Sequence, residues 1–190
     1  MGRVMSLINT TPDGFVDAKY VTPDAEYFDF VHSLLAHTDT VAFGRNTFEL
    51  FQSIWPSRMD PNKATAWQVK MAKALHEIRK TVYSSTLNAT TWNNSTIVRH
   101  IDNERVNAHK SDTTGGLLTF GSMKLVATLT EMNAIDDYYF CIQPMIGGGG
   151  EVRLFNEPTP DGHQALRYVD STSLKSGVHI IHYERPLARG

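Results

Sequence analysis

The stretch "TVAFGRNTFELF" occupies Thr40 to Phe51. Val41, Ala42 and Phe43 read as a buried strand, and Phe48, Leu50 and Phe51 read as part of a helix. Gly44, Arg45, Asn46 and Thr47 stand at the junction. A helix that begins there offers free backbone N–H groups and the positive end of its dipole. Glycine lets a ligand come close to the backbone, and arginine adds a planar cationic fork. Together these features describe a place for an anion, phosphate above all.

Two further strand ends have the same style. Thr81-Val82-Tyr83 runs into Ser84-Ser85-Thr86, and Leu118-Thr119-Phe120 runs into Gly121-Ser122-Met123-Lys124. In open α/β sheets, ligands bind at the carboxyl ends of the strands. Three such ends can hold a dinucleotide, with pyrophosphate in the middle and a third phosphate to one side. Neither GxGxxG after a strand nor GxxxxGK[ST] occurs in the chain. The structural reading of each end stands beside the functional one, because Gly, Ser and Thr are also ordinary turn and cap residues. "GGGG" at Gly147 to Gly150 has the same two readings, a phosphate loop or a tight crossing that needs glycine.

Outward from these junctions the chain alternates strand-like and helix-like stretches, the pattern of a single α/β domain over residues 1–190. Strands are expected at Val4 to Asn9, Asp39 to Phe43, "RKTVYSST", "STIVRH", "GLLTFGS" and "DDYYFCIQPMI", with one or two more in "ALRYVDSTSLKSGVHIIHYER". Helices are expected after Thr22-Pro23-Asp24, after Gly44, over Ala64 to Glu77, within Asp102 to Thr113 and over "MKLVATLTEMN". Thr22 is the expected N-cap of the first, with Pro23 at its first position. "FQSIWPSRMDP" reads as an irregular loop.

The 190 residues carry a formal charge of −2, which argues against a nucleic-acid binder. No apolar run approaches the ~18 residues of a membrane span. The single Cys141 cannot form an internal disulfide and suits a reducing cytoplasm, as a small core residue. Among eight histidines, His32 and His37 are five apart, and no pair has metal-ligand spacing.

"SLINTTPDGF", "DTVAFGRNTFELF", "KTVYSSTL", "LLTFGSMKLVATL" and "IDDYYFCIQPMIGGGGEVRLF" follow one another in the order of a known family. The chain resembles the dihydrofolate-reductase-like proteins, in the branch of the C-terminal reductase domain of bacterial riboflavin biosynthesis. The likeness spans about Val4 to Arg185. It implies a three-layer α/β fold, with a mixed, mostly parallel central sheet and helices on both faces. It also implies NADPH as the cofactor. Gly44 then gives backbone room, Arg45 reaches the adenosine-side phosphate and Thr47 bonds the pyrophosphate. Ser84, Ser85 and Thr86, with Arg99, meet the 2′-phosphate. Gly121, Ser122, Met123 and Lys124 line the pyrophosphate, and the backbone of Ile8 and Asn9 holds the nicotinamide amide. Gly148, in the glycine run, lies near the nicotinamide end.

The chemistry so implied is hydride transfer to a flat heterocycle, either a pyrimidine of the riboflavin type or a pterin such as dihydrofolate. The protein aligns the rings and supplies a proton where one is needed. On the first helix the family position falls near Phe28, which makes Glu26 and Asp29 the candidate acids. Asp13 in "PDGF" is the candidate loop carboxylate over the site, against the plain reading of Asp-Gly as a turn pair. Gln143 points at the same cleft, and Phe51 and Trp55 are its expected walls. Arg58 and Lys63 are candidates for a ribose phosphate. The resemblance further implies a homodimer. The rival reading is an NADPH-binding sensor or assembly module without turnover.

Overall fold

In a computed structural model of the chain, residues 2–112, 115–155 and 164–186 are described. Eight strands form one sheet: β1 (Val4–Thr10), β2 (Thr38–Gly44), β3 (Arg79–Tyr83), β4 (Ser95–Val98), β5 (Gly116–Phe120), β6 (Asp137–Ile142), β7 (Arg167–Ser173) and β8 (His179–Glu184). Their order is β4-β3-β2-β5-β1-β6-β8-β7. The first six are parallel, and β8 runs antiparallel to both β6 and β7. The helices are α1 (Ala25–Leu35), α2 (Arg45–Ile54), α3 (Ala66–Glu77), α4 (Asn103–Asp112) and α5 (Met123–Glu131).

Alternation along each strand sends neighbouring side chains to opposite faces. Met5, Leu7, Val41, Phe43, Leu118, Phe120 and Cys141 pack with buried residues of α1, α2 and α3. Val4, Ile8, Ala42, Leu117 and Tyr138 pack with Val106 of α4 and Leu125, Val126 and Leu129 of α5. Helices therefore cover both faces. This double burial explains why "VAF" is apolar throughout and "GLLTF" nearly so, without alternation.

Several expected boundaries move. The N-cap of α1 is Asp24, whose carboxylate accepts the Tyr27 N–H at 2.7 Å. Thr22 stays outside the helix because its own N–H is drawn to the Gln143 side chain. "FQSIWPSRMDP" is not an irregular loop: α2 continues to Ile54, and Pro56–Met59 forms a 3-10 turn. α3 starts at Ala66, two residues later than expected, with the Thr65 N–H donating to Gln68 Oε1 at 2.9 Å. The final segment holds two strands. α4 is described to Asp112, and the expected end at Thr113 lies outside the described residues.

One buried charge had no signal in the sequence. Lys80 is 1% exposed, and its Nζ donates to the carbonyls of Leu75 at 2.6 Å, Ile78 at 2.8 Å and His76 at 3.3 Å. It thereby caps the end of α3, with Nζ also 4.8 Å from the centre of the Trp92 ring.

Candidate active site

Six parallel strands end along one edge of the sheet. α2 starts directly from the end of β2, and α5 starts just beyond the end of β5. The N-caps are Gly44 for α2 and Ser122 for α5, and neither gives its own helix a side-chain cap. Glycine has no side chain to offer. The Ser122 hydroxyl is turned sideways and accepts the Gly44 N–H at 2.9 Å. Gly121 and Ser122 both take left-handed backbone angles, φ 54° and 53°, an uncommon choice for serine. The Gly121 N–H donates to Leu7 O at 2.8 Å, which ties this turn to β1. Two helix N-termini thus lie side by side without side-chain caps, and such ends attract anions.

Arg45 opens α2 on the exposed side. Its guanidinium donates to Thr86 Oγ1 and to Glu49 Oε1, each at 2.9 Å, and so reaches across to the end of β3. Ser84 and Arg99 bond within their own loop. Ser84 Oγ accepts from the Leu87 N–H at 2.9 Å, and Arg99 donates to the carbonyls of Leu87 at 2.6 Å and Ser84 at 3.2 Å. Ser85 and Thr86 are left exposed on the side that Arg45 joins. Thr47 is half-buried in the first turn of α2. Met123 packs against the α5-side core, and Lys124 is exposed.

The other half of the edge is formed by β1 and β6. Ile8 is fully buried, and Asn9 beside it joins a chain of polar contacts. The Thr22 N–H donates to Gln143 Oε1 at 2.9 Å, Gln143 Nε2 donates to Asn9 Oδ1 at 2.9 Å, and Asn9 Nδ2 donates to the Tyr27 hydroxyl at 2.8 Å. Gln143 is 0% exposed, so its amide bridges and supports this edge from below.

Asp13 lies over the edge and grips the glycine run. Its carboxylate oxygens accept the N–H groups of Gly147 and Gly148, each at 2.8 Å. These bonds hold its pKa well below the ordinary carboxylate value, at about 2. Asp17 repeats the pattern four residues on, accepting from the N–H groups of Glu151 and Val152. Gly148 has φ +57°, and a side chain on Gly147 or Gly150 would strike the Phe15 ring at 2.7 or 2.4 Å. At these three positions glycine answers backbone and steric demands, the second of its two sequence readings.

Glu26 and Asp29 do not face the sheet. The Glu26 carboxylate accepts the Lys175 N–H, and Asp29, 73% exposed, pairs with Lys70. The inward face of α1 carries Tyr27, Phe28, Val31 and Leu34. Phe28 stacks on Trp67 and meets Trp55 edge-on, while Phe51 packs on Phe120 and Phe43. Phe28, Phe51 and Trp55 thus form one aromatic group packed into the core. Arg58 lies over Trp55, 5.9 Å from the ring centre, and Lys63 pairs with Asp60. A cavity of about 420 Å³ lies at the opposite end of β3, between Arg79, Thr81, Asn94 and His109, away from this edge. Among the described residues no cluster of His, Cys, Asp and Glu can hold a metal ion, and no helix is long and apolar enough to cross a membrane.

Sequence reading passed over Tyr27 and Asp17. Tyr27 sits at a core position of an amphipathic helix, and a pattern of apolar spacing says nothing about where its hydroxyl goes. Asp17 had a signal in hindsight: it stands four residues after Asp13, as its partners Glu151 and Val152 stand four residues after Gly147 and Gly148.

This edge, with two open helix starts over a mostly parallel sheet, is the architecture of a dihydrofolate-reductase-like domain. The chain belongs to the family described as RibD C-terminal domain, whose profile matches residues 4–180. It is 24% identical over 188 residues to the uncharacterized Bacillus subtilis (strain 168) protein YyaP, covering 95% of this chain and 94% of that one. A candidate riboflavin biosynthesis protein from Shewanella sp. PV-4 superimposes with a TM-score of 0.72 at 18% identity, over 97% of this chain and 99% of that one. Dihydrofolate reductase from Enterococcus faecalis, solved with NADP(H) and RAB-propyl, superimposes with a TM-score of 0.61 at 15% identity, over 97% and 96%.

Proposed function

We propose that the protein is an NADPH-dependent reductase of a flat heterocycle, either a pyrimidine of the riboflavin type or a pterin. The observation that carries this reading is the pair of helix starts at Gly44 and Ser122, stitched at 2.9 Å and flanked by Arg45. Free amides from two adjacent helices suit a pyrophosphate. An exposed arginine beside Ser85 and Thr86 suits the 2′-phosphate. The residues fit the cofactor, and family membership and the NADP(H)-bound neighbour support the same assignment.

In this reading Gly44, Thr47, Gly121, Ser122, Met123 and Lys124 hold the pyrophosphate, and Arg45, Ser85 and Thr86 hold the adenosine side. Ser84 and Arg99 shape the loop that presents them. Backbone groups of Ile8 and Asn9 receive the nicotinamide amide, and Asp13 with Gly148 closes the loop above it. Bound NADPH supplies hydride. The chain orders the two rings, excludes water with Phe28, Phe51 and Trp55, and holds Asn9 rigid through Gln143. The domain acts as a homodimer in the cytoplasm, with the side of the sheet beyond β6 as the pairing surface, where Tyr168 of edge strand β7 is 56% exposed.

A second reading has one observation in its favour. No carboxylate lies on the inward face of α1, so the protein would bind NADPH as a sensor without turnover. Following NADPH consumption with dihydrofolate and with 5-amino-6-ribosylaminouracil, free and 5′-phosphorylated, separates the two. Oxidation with any of them supports the reductase, and tight NADPH binding without oxidation supports the sensor.

A further inference from the structure

The polar chain beneath the site has a direction, and that direction is fixed from one end. The Thr22 N–H is a backbone donor and can only donate, so the atom of Gln143 at 2.9 Å from it must be Oε1. Gln143 then offers Nε2 to Asn9, which must present Oδ1, at 2.9 Å. Asn9 in turn offers Nδ2 to the Tyr27 hydroxyl at 2.8 Å. Reversing any one amide would set two donors against each other. The Tyr27 oxygen therefore accepts, and its own proton must leave the chain.

That proton has no taker: among the described residues, the Tyr27 hydroxyl has no hydrogen bond besides the one from Asn9. Tyr27 is only 4% exposed. A buried donor without an acceptor is costly, because it has given up its water without replacement. Tyr27 lies on the inward face of α1, next in sequence to Phe28 of the aromatic group. Its oxygen is tied to Asn9, at the carboxyl end of β1.

We infer that the Tyr27 hydroxyl is the substrate-facing donor of this site, presenting its proton to an acceptor atom, a ring nitrogen or carbonyl oxygen, of the heterocycle. The inference rests on the reductase reading and names what that site selects for. A ligand with an acceptor at this point completes the chain Thr22-Gln143-Asn9-Tyr27, whereas a ligand with an N–H there sets two buried donors against each other and one with a C–H leaves the phenol unpaired. Sites of this kind reject the mismatched ligand strongly. Tyr27 keeps its proton and acts by hydrogen bonding, because burial pushes its phenol far above the ordinary range.

The test is calorimetric binding of dihydrofolate, 5-amino-6-ribosylaminouracil and its 5′-phosphate to the protein saturated with NADP+, which supplies no hydride, repeated for Tyr27→Phe and Asn9→Asp. Asn9→Asp keeps the phenol in place but turns its partner into an acceptor, which captures the proton internally. Each variant is expected to weaken the best probe about 5- to 50-fold, and the double variant no more than either single one. Should Tyr27→Phe fail to fold, by its circular dichroism, Asn9→Asp carries the test. Full probe affinity in the variants would overturn the inference and leave the reductase reading standing. NADP+ binding with no affinity for any probe would overturn the inference for this substrate class. Absence of NADP+ binding would overturn the underlying reading and the inference with it.

Discussion

The Gly44 N–H and the Ser122 hydroxyl meet at 2.9 Å across the ends of β2 and β5. The contact joins two helix starts that chain order places 78 residues apart. It also turns the N-cap side chain of α5 away from its own helix, which leaves the first-turn amides of α5 without that cap.

Removing that hydroxyl therefore unpins the pair. Ser122→Ala loses one hydrogen bond, about 1 kcal/mol, and NADPH affinity is expected to fall about fivefold. Nicotinamide fluorescence titration measures this. An unchanged affinity would mean that the two helix starts act independently.

Arg45 and Arg99 are expected to separate. Arg45 reaches Thr86 from an exposed position, whereas Arg99 binds the carbonyls of Ser84 and Leu87. Arg45→Ala should weaken NADPH at least tenfold, in line with roughly 1.5–3 kcal/mol for a hydrogen bond to a charged group, and leave NADH binding nearly unchanged. Arg99→Ala should instead lower the midpoint of urea unfolding, because it releases the loop. Equal effects of the two on cofactor choice would contradict this division.

The fold was legible because its central strands are buried on both faces and its junctions carry strong turn residues. "TVAFGRNTFELF" placed β2, Gly44 and α2 together, and Gly44 is in fact the N-cap. Boundaries shifted where a tertiary partner outbid a local rule, as at Thr22, whose N–H is held by Gln143. Residue types at the phosphate side were readable, but the division of labour between Arg45 and Arg99 was not, since it depends on which carbonyls come within reach. Tyr27 was hidden for the same reason: its polarity is set through Asn9 and Gln143, on other parts of the sheet edge, by the Thr22 N–H.

Asp13 is expected to govern the loop above the site. Its depressed pKa, about 2 against an ordinary 3.8, means that its grip on Gly147 and Gly148 is complete above pH 3.8 and is lost as the pH falls toward 2. Asp13→Ala should expose the 145–153 segment to thermolysin at neutral pH, with faster cleavage there than in the parent chain. Identical cleavage rates would show that Asp17 and Phe15 hold the loop alone.

Lys80 gives a second pH signature, in the alkaline range. Burial lowers its pKa to about 8 from an ordinary 10.5, with Glu77 as the opposing charge. Between those values the unfolded chain holds more protons than the folded one, so raising the pH from 8 to 10.5 adds stability through this residue. Urea unfolding should show the parent chain gaining on Lys80→Met across that window. A relative loss would mean that the three carbonyls hold the ammonium more tightly than burial penalises it.

The most direct test of the account is a paired titration of the protein with NADPH and NADH, followed by nicotinamide fluorescence. The account predicts tight NADPH binding, much weaker NADH binding, and loss of the difference in Arg45→Ala. Equal binding of the two would contradict the 2′-phosphate site at Arg45 and Thr86, and no binding of either would contradict the reading of the paired helix starts as a pyrophosphate cradle.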